Sequence, residues 1–162
     1  MVPFGLLALP LHPVKRSRIL GWCAHLVIPW LRFTCGISHR IDGLNNIPNR
    51  PCVLLVKHQS AWETFALQTI FPPQTWVLKK ELLYIPVFGW GLWASRPIAI
   101  DRSTKLNALD QVVVQGIRVL AEGRWVVVFP EGTRVPYGQK KKYNAGGAKL
   151  AIEAGVPIIP VA

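Results

Sequence analysis

A chain of 162 residues is long enough for one domain around one hydrophobic core. At 51% hydrophobic, with seven Trp, it is excluded from the class of disordered tails and linkers. Its 19 Lys and Arg against 8 Asp and Glu leave a net charge of +11, so an anionic partner is expected: nucleic acid, an anionic membrane or a phosphorylated substrate.

The first 11 residues are apolar but short, and Pro3, Gly5 and Pro10 interrupt them, so no bilayer-spanning helix is expected there. They lack the basic start and small-residue cleavage site of a signal peptide. Residues 19–33 differ. Ile19, Trp22, Cys23, Leu26, Val27, Trp30 and Leu31 recur at helical spacing, with Pro29 expected to kink or end the helix. No acid precedes Asp42, whereas Lys15, Arg16, Arg18, Arg32 and Arg40 all do. Two readings fit: a helix lying in a membrane interface, with Trp22 and Trp30 at the headgroup level, or an amphipathic helix covering the core. The basic bias favours the first, and residues 1–34 are read as an N-terminal membrane-associated segment.

From residue 35 onward, strand-like and helix-like pieces alternate. Strands are predicted at 38–42, 52–56, 75–78, 97–100, 125–129 and 158–161. Helices are predicted at 60–71, 105–122 (stripe Leu106, Leu109, Val113, Ile117, Leu120) and 145–154, with a helical turn near 81–84. The pattern predicts an α/β layered domain, residues 35–162, with a central, largely parallel (mixed) sheet flanked by helices. Cys23, Cys35 and Cys52 are widely spaced and odd in number, which suits buried thiols in a reducing compartment and supports neither a disulfide framework nor a zinc site.

Four strand ends carry candidate chemistry. After the 52–56 strand come His58 and, five positions on, Glu63. A histidine takes a proton near neutral pH, and a carboxylate on its far nitrogen would fix its tautomer. Ser60 and Glu63 also form a capping box, and the two roles are compatible, because a Glu at N3 reaches back toward residues just before the helix. After the 125–129 strand come Glu131, Gly132, Thr133 and Arg134: a backbone that lets a ligand approach, a hydroxyl, and a guanidinium able to grip a phosphate. The alternative is a solvated turn. After the 97–100 strand, Arg102 is either a second anion clamp or a surface partner of Asp101. Lys80, after the 75–78 strand, is either a solvated lysine or a group near developing oxyanion charge.

Taken in order, His58-x4-Glu63, Pro97-Ile98-Ala99-Ile100-Asp101-Arg102, Phe129-Pro130-Glu131-Gly132-Thr133-Arg134 and Val156-Pro157-Ile158-Ile159-Pro160-Val161 resemble four sequence blocks of the 1-acylglycerol-3-phosphate acyltransferase family, within the glycerolipid acyltransferase superfamily. The resemblance runs from about Cys35 to the last residue. It implies transfer of an acyl group from an acyl-CoA or acyl-carrier-protein thioester to the hydroxyl of a lysophospholipid, usually lysophosphatidic acid. It implies His58 as general base, Glu63 as its orienting partner, and Arg134 with Glu131, Gly132 and Thr133 on the acceptor's phosphate. Arg102 would assist and Lys80 would lie near the thioester oxygen. No metal, cofactor or nucleic acid is implied; the acyl donor is a substrate.

The expected location is the cytoplasmic face of the inner membrane, against an anionic surface. Alternatives are another lysophospholipid or glycerol-3-phosphate as acceptor, or an inactive membrane-binding protein. Phe88, Trp90, Leu92 and Trp93 would either line an acyl-chain groove or pack in the core. In the family an Asp is commoner at the position of Glu63, so the longer side chain must fold back. The chain also ends just inside the fourth block, where family members continue, so a truncated product is expected.

Overall fold

The computed structural model of the chain describes residues 8–101, 103–104 and 107–162. Arg102, Lys105, Leu106 and residues 1–7 lie outside the described residues, and with them the expectations placed on Arg102, on Leu106 and on the start of the chain. Five strands form one sheet: β1 (Val53–Val56), β2 (Gln74–Lys79), β3 (Ile98–Ile100), β4 (Trp125–Val128) and β5 (Ile158–Val161), in the order β3-β2-β4-β1-β5. Every neighbouring pair is parallel, with Val53 beside both Val126 and Ile158, so the sheet is parallel rather than mixed among the described residues.

Apolar runs that alternate between two buried faces produce this sheet. Val53, Val126 and Val128 face one layer, where they meet Val112, Val113 and Leu120 of α5 (Ala108–Ala121) and Leu150 of α6 (Gly146–Ala154). Leu54, Val56, Trp125 and Val127 face the other, where they meet Leu67 of α3 (Trp62–Ile70). Helix α6 approaches so closely that a Cβ on Gly147 would stand 2.5 Å from a Leu55 methyl. Two N-terminal helices, α1 (Pro13–Trp22) and α2 (Ala24–Cys35), pack behind α3. A short helix, α4 (Phe88–Ala94), returns the chain to β3 after a 3-10 turn at Lys80–Tyr84.

Several expectations need correction. Residues 38–42 are not a strand: all are exposed, only the His39 ring meets an aromatic neighbour, Trp62, edge-on at 5.0 Å, and Arg40 pairs with Asp42 at 2.9 Å. The single helix expected over 19–33 is two, broken at Cys23. Pro29 deprives the His25 carbonyl of its intrahelical donor without ending α2; Gly36, left-handed at φ +67°, ends it instead. Of the three thiols only Cys52 is buried, and burial pushes it up to about 12, whereas Cys35 is exposed. Phe88, Trp90 and Trp93 are exposed, so core packing does not account for them. The cap of α5, not anticipated, is Asn107, which accepts from the Asp110 amide at 2.9 Å.

Because all strands run one way, His58, Lys80, Asp101 and Glu131 follow the same edge of the sheet. β1 leads through α3 over one face to β2, while β4 leads through α6 over the other face to β5. The crevice between β1 and β4 is therefore a topological switch point, the usual place for a ligand in a parallel α/β sheet.

Candidate active site

His58 stands two residues past the end of β1. Its Nδ1 lies 2.8 Å from Glu63 Oε1. Helix α3 begins at Trp62 with Ala61 as N-cap, so Glu63 is in the first turn. The carboxylate folds back over the loop: Oε1 accepts from the Gln59 amide at 2.7 Å and the Ser60 amide at 2.8 Å, and Oε2 accepts from the Ser60 hydroxyl. Ser60 Oγ in turn accepts from the Trp62 amide at 3.0 Å. The N-cap is thus Ala61, one residue on from the Ser60 the sequence suggested; the Glu63-to-Ser60-amide half of the capping box remains, and both roles of Glu63 coexist.

Burial pushes the Glu63 carboxyl up, but hydrogen bonds from the Ser60 hydroxyl and amide and from His58 outweigh it and hold the group at about 2, against 4.5 ordinarily. Glu63 is therefore ionised at neutral pH and accepts the proton on Nδ1. That tautomer leaves the Nε2 lone pair free, and no described residue bonds to it. A folded value below the ordinary one means stability that is complete above about 4.5 and is lost as pH falls toward about 2. The urea midpoint of wild type should exceed that of Glu63→Gln at neutral pH, and the gap should close on acidification through that window; a gap that widens in acid would contradict the assignment.

The His58 ring lies flat on Phe129, centroids 3.8 Å apart and planes at 18°, and Phe129 stacks on Trp76 in turn. The His58 backbone is held from both sides by the turn after β4. Its amide donates to Glu131 Oε2 at 2.8 Å, and its carbonyl accepts from the Val135 amide at 2.8 Å. Glu131 is 1% exposed and also receives Lys57 Nζ at 3.5 Å.

Of the four residues read together as a phosphate grip, Glu131 therefore points inward. Gly132, Thr133 and Arg134 stand exposed, and Arg134 makes no hydrogen bond or ion pair with any described residue. Gly132 needs its glycine, since φ is +68° and its amide closes a tight turn on the Phe129 carbonyl at 3.0 Å. Asn144 closes the loop that follows: its amide and its Nδ2 both donate to the Pro130 carbonyl, at 2.8 and 3.0 Å. Sequence reading missed Asn144, Lys57 and the stacked Phe129; no spacing rule marks an asparagine fourteen positions from its acceptor.

Lys80 sits at the same sheet edge but is committed elsewhere, to Asp101 at 2.7 Å. The Asp101 hydrogen bond and charge raise its ammonium above the usual value and lower the Asp101 carboxyl. No hydrogen bond links this pair to the His58, Glu63 and Glu131 group.

The model of the family described as Acyltransferase matches residues 38–162, which contain all of this geometry. This chain belongs to the acyltransferase family. It is 50% identical over 155 residues to a protein of Pseudomonas aeruginosa named 1-acyl-sn-glycerol-3-phosphate acyltransferase, covering 95% of this chain and 60% of that one. It is 32% identical to a Saccharomyces cerevisiae protein of the same name (81% and 44% covered) and 28% identical to the human alpha form (97% and 56% covered). The chain thus spans about half of these relatives' lengths. The fold is that of the crystal structure of the 1-acyl-sn-glycerophosphate acyltransferase PlsC from Thermotoga maritima, with a TM-score of 0.68 at 20% identity over 98% of this chain and 70% of that one. In this chain the blocks containing His58 and Glu131 come from adjacent strands, and one turn bonds to both sides of the His58 backbone.

Proposed function

We propose that this chain transfers a fatty acyl group from an acyl-CoA or acyl-carrier-protein thioester to the free hydroxyl of 1-acylglycerol-3-phosphate, giving phosphatidic acid. The observation that carries the reading is a His58 ring held by ionised Glu63 with Nε2 free, on a backbone bonded to Val135, the residue after an Arg134 that is unpartnered among the described residues. Nε2 takes the hydroxyl proton as the acceptor oxygen attacks the thioester carbonyl. The tetrahedral intermediate collapses, the C–S bond breaks, and the leaving thiolate takes the proton from the imidazolium. Glu63 stabilises that imidazolium without becoming protonated itself. Arg134, with Thr133 and the Gly132 backbone, holds the acceptor phosphate.

The same proposal places the chain on the cytoplasmic face of the inner membrane. Among the described residues no helix is long and apolar enough to cross a membrane. What supports association is one exposed apolar face on α1 and α2: Trp22, Leu26, Trp30 and Phe33, the last 86% exposed. Such a face fits a helix lying in the headgroup boundary.

The test is an assay in detergent with acyl-CoA and 1-acylglycerol-3-phosphate, following thiol release and phosphatidic acid together. Absence of both products in a folded sample refutes the proposal. Arg134→Ala should raise KM for the phosphorylated acceptor about 10- to 100-fold, the worth of hydrogen bonds to a charged group, with kcat little changed. An unchanged KM would remove Arg134 from the phosphate site.

A further inference from the structure

A second group of cations lies at the opposite end of the sheet, where the chain enters β3 and β4. Arg16 of α1 is only 8% exposed. Its Nη1 donates to the Ala94 carbonyl at 3.3 Å and its Nη2 to the carbonyls of Leu9 and Leu11. Its Nε is buried without a partner. Arg124, 1% exposed, precedes β4, pairs with Glu122 at 2.7 Å, and donates to the carbonyls of Ser95 and Arg96 at 3.1 and 3.3 Å. Arg96 precedes β3. Its backbone is left-handed at φ +51°, yet its side chain is exposed and makes no hydrogen bond or ion pair with a described residue.

Charge does not balance here. Of the three guanidiniums only that of Arg124 is paired with a carboxylate, Glu122, among the described residues. No acid precedes Asp42 in the chain, and none of residues 1–7, 102, 105 or 106 is acidic. Burial draws the Arg16 guanidinium below its usual value, and the charges of Arg96 and Arg124 draw it further. A buried cation held only by carbonyls and repelled by its neighbours is costly unless an anion joins it. Space for one exists: a cavity of about 360 Å³ bounded by Arg16, Leu83, Trp93, Arg96 and Pro97. This end of β4 is four residues, or about 13 Å, from the end that leads to Glu131.

We propose that Arg16 and Arg96 form a phosphate-binding site at the amino edge of the sheet, separate from the His58 crevice. Arg96 supplies a free two-pronged donor, Arg16 a fixed buried charge at the cavity wall, and Leu83, Trp93 and Pro97 an apolar wall. A phosphate bears the matching oxyanion whether free or on the headgroup of an anionic phospholipid, and the wall suits the hydrocarbon side of the latter.

The test uses Arg134→Ala as background, so that the acceptor site is silent. Inorganic phosphate is titrated against chloride at matched ionic strength with the thermal midpoint as readout, and cosedimentation is measured with phosphatidylglycerol and phosphatidylcholine vesicles. The variants are Arg96→Gly, which suits the left-handed backbone and removes only the side chain, and Arg96→Lys, which keeps the charge. Arg16→Gln is added if it folds. A saturable phosphate-dependent rise in midpoint that Arg96→Gly abolishes and Arg96→Lys largely keeps supports the site with free phosphate as ligand. An unresponsive midpoint, with phosphatidylglycerol binding weakened about tenfold by Arg96→Gly and phosphatidylcholine binding unmoved, supports it with a lipid headgroup as ligand. If Arg96→Gly changes neither readout, the proposal is overturned. Acyl transfer plays no part in these readouts, so their failure leaves the catalytic proposal untouched.

Discussion

His58→Ala should lower kcat ~10²- to 10⁴-fold, the usual contribution of a positioned base, with little change in either KM. The reason lies in how fully the ring is oriented. Glu63 takes Nδ1 at 2.8 Å, Phe129 covers one ring face, and Glu131 and Val135 hold the backbone. None of these contacts touches Nε2, so the nitrogen left over is the one that can accept a proton. The deletion should also be benign for folding, because the Glu63 carboxylate keeps its bonds from Gln59 and Ser60. Steady-state thiol release with acyl-CoA and 1-acylglycerol-3-phosphate checks this. A variant that turns over at the wild-type rate would remove His58 as the base.

Glu131→Ala should damage both stability and catalysis, and Glu131→Gln much less. Removing the carboxylate, which is itself buried, leaves the His58 amide without its acceptor and leaves Lys57 with only the Gln139 carbonyl. An unmet buried donor costs about 1–3 kcal/mol, which should appear as a lower urea midpoint. The loop that carries the base then loses one of its two anchors, and kcat should fall by about tenfold or more, since misplacing a reacting group by a fraction of an ångström is costly. Glutamine keeps an acceptor oxygen for the amide and should retain most activity. A direct contact between Glu131 and the acceptor phosphate predicts the reverse pattern: a changed acceptor KM with kcat and stability preserved. The split between kcat and KM therefore decides between a positioning role and the substrate-binding role the sequence suggested.

The burial of Glu131 against the His58 amide shows where sequence reading loses its grip. The relation of Glu63 to His58 was legible because it is local. Five residues separate them, and a Glu in the first turn of a helix has few places to put its carboxylate other than over the preceding loop. Even the displaced N-cap left the geometry intact. The relation of Glu131 to His58 spans 73 positions and exists only because β4 lies beside β1 in the sheet. Four consecutive polar or small residues after a strand look alike in sequence, yet the turn at Gly132 sends Glu131 inward and Arg134 outward. The same holds for Lys80, which reads as an available cation until β3 brings Asp101 beside it.

By itself the chain's order of residues determined its strand and helix alternation, the parallel α/β class, the pairing of His58 with Glu63 and the cationic character of its first forty positions. These follow from periodicity, backbone stereochemistry and interactions within a turn or so, which act before any long-range contact forms. Only the tertiary structure decided which charges are satisfied. Glu131 is buried as an anchor, Lys80 is paired, and Arg16 and Arg96 are left beside a cavity without a counter-charge. Whether a cation meets a carboxylate depends on which strands become neighbours, and that is settled by how the whole sheet buries its two apolar faces.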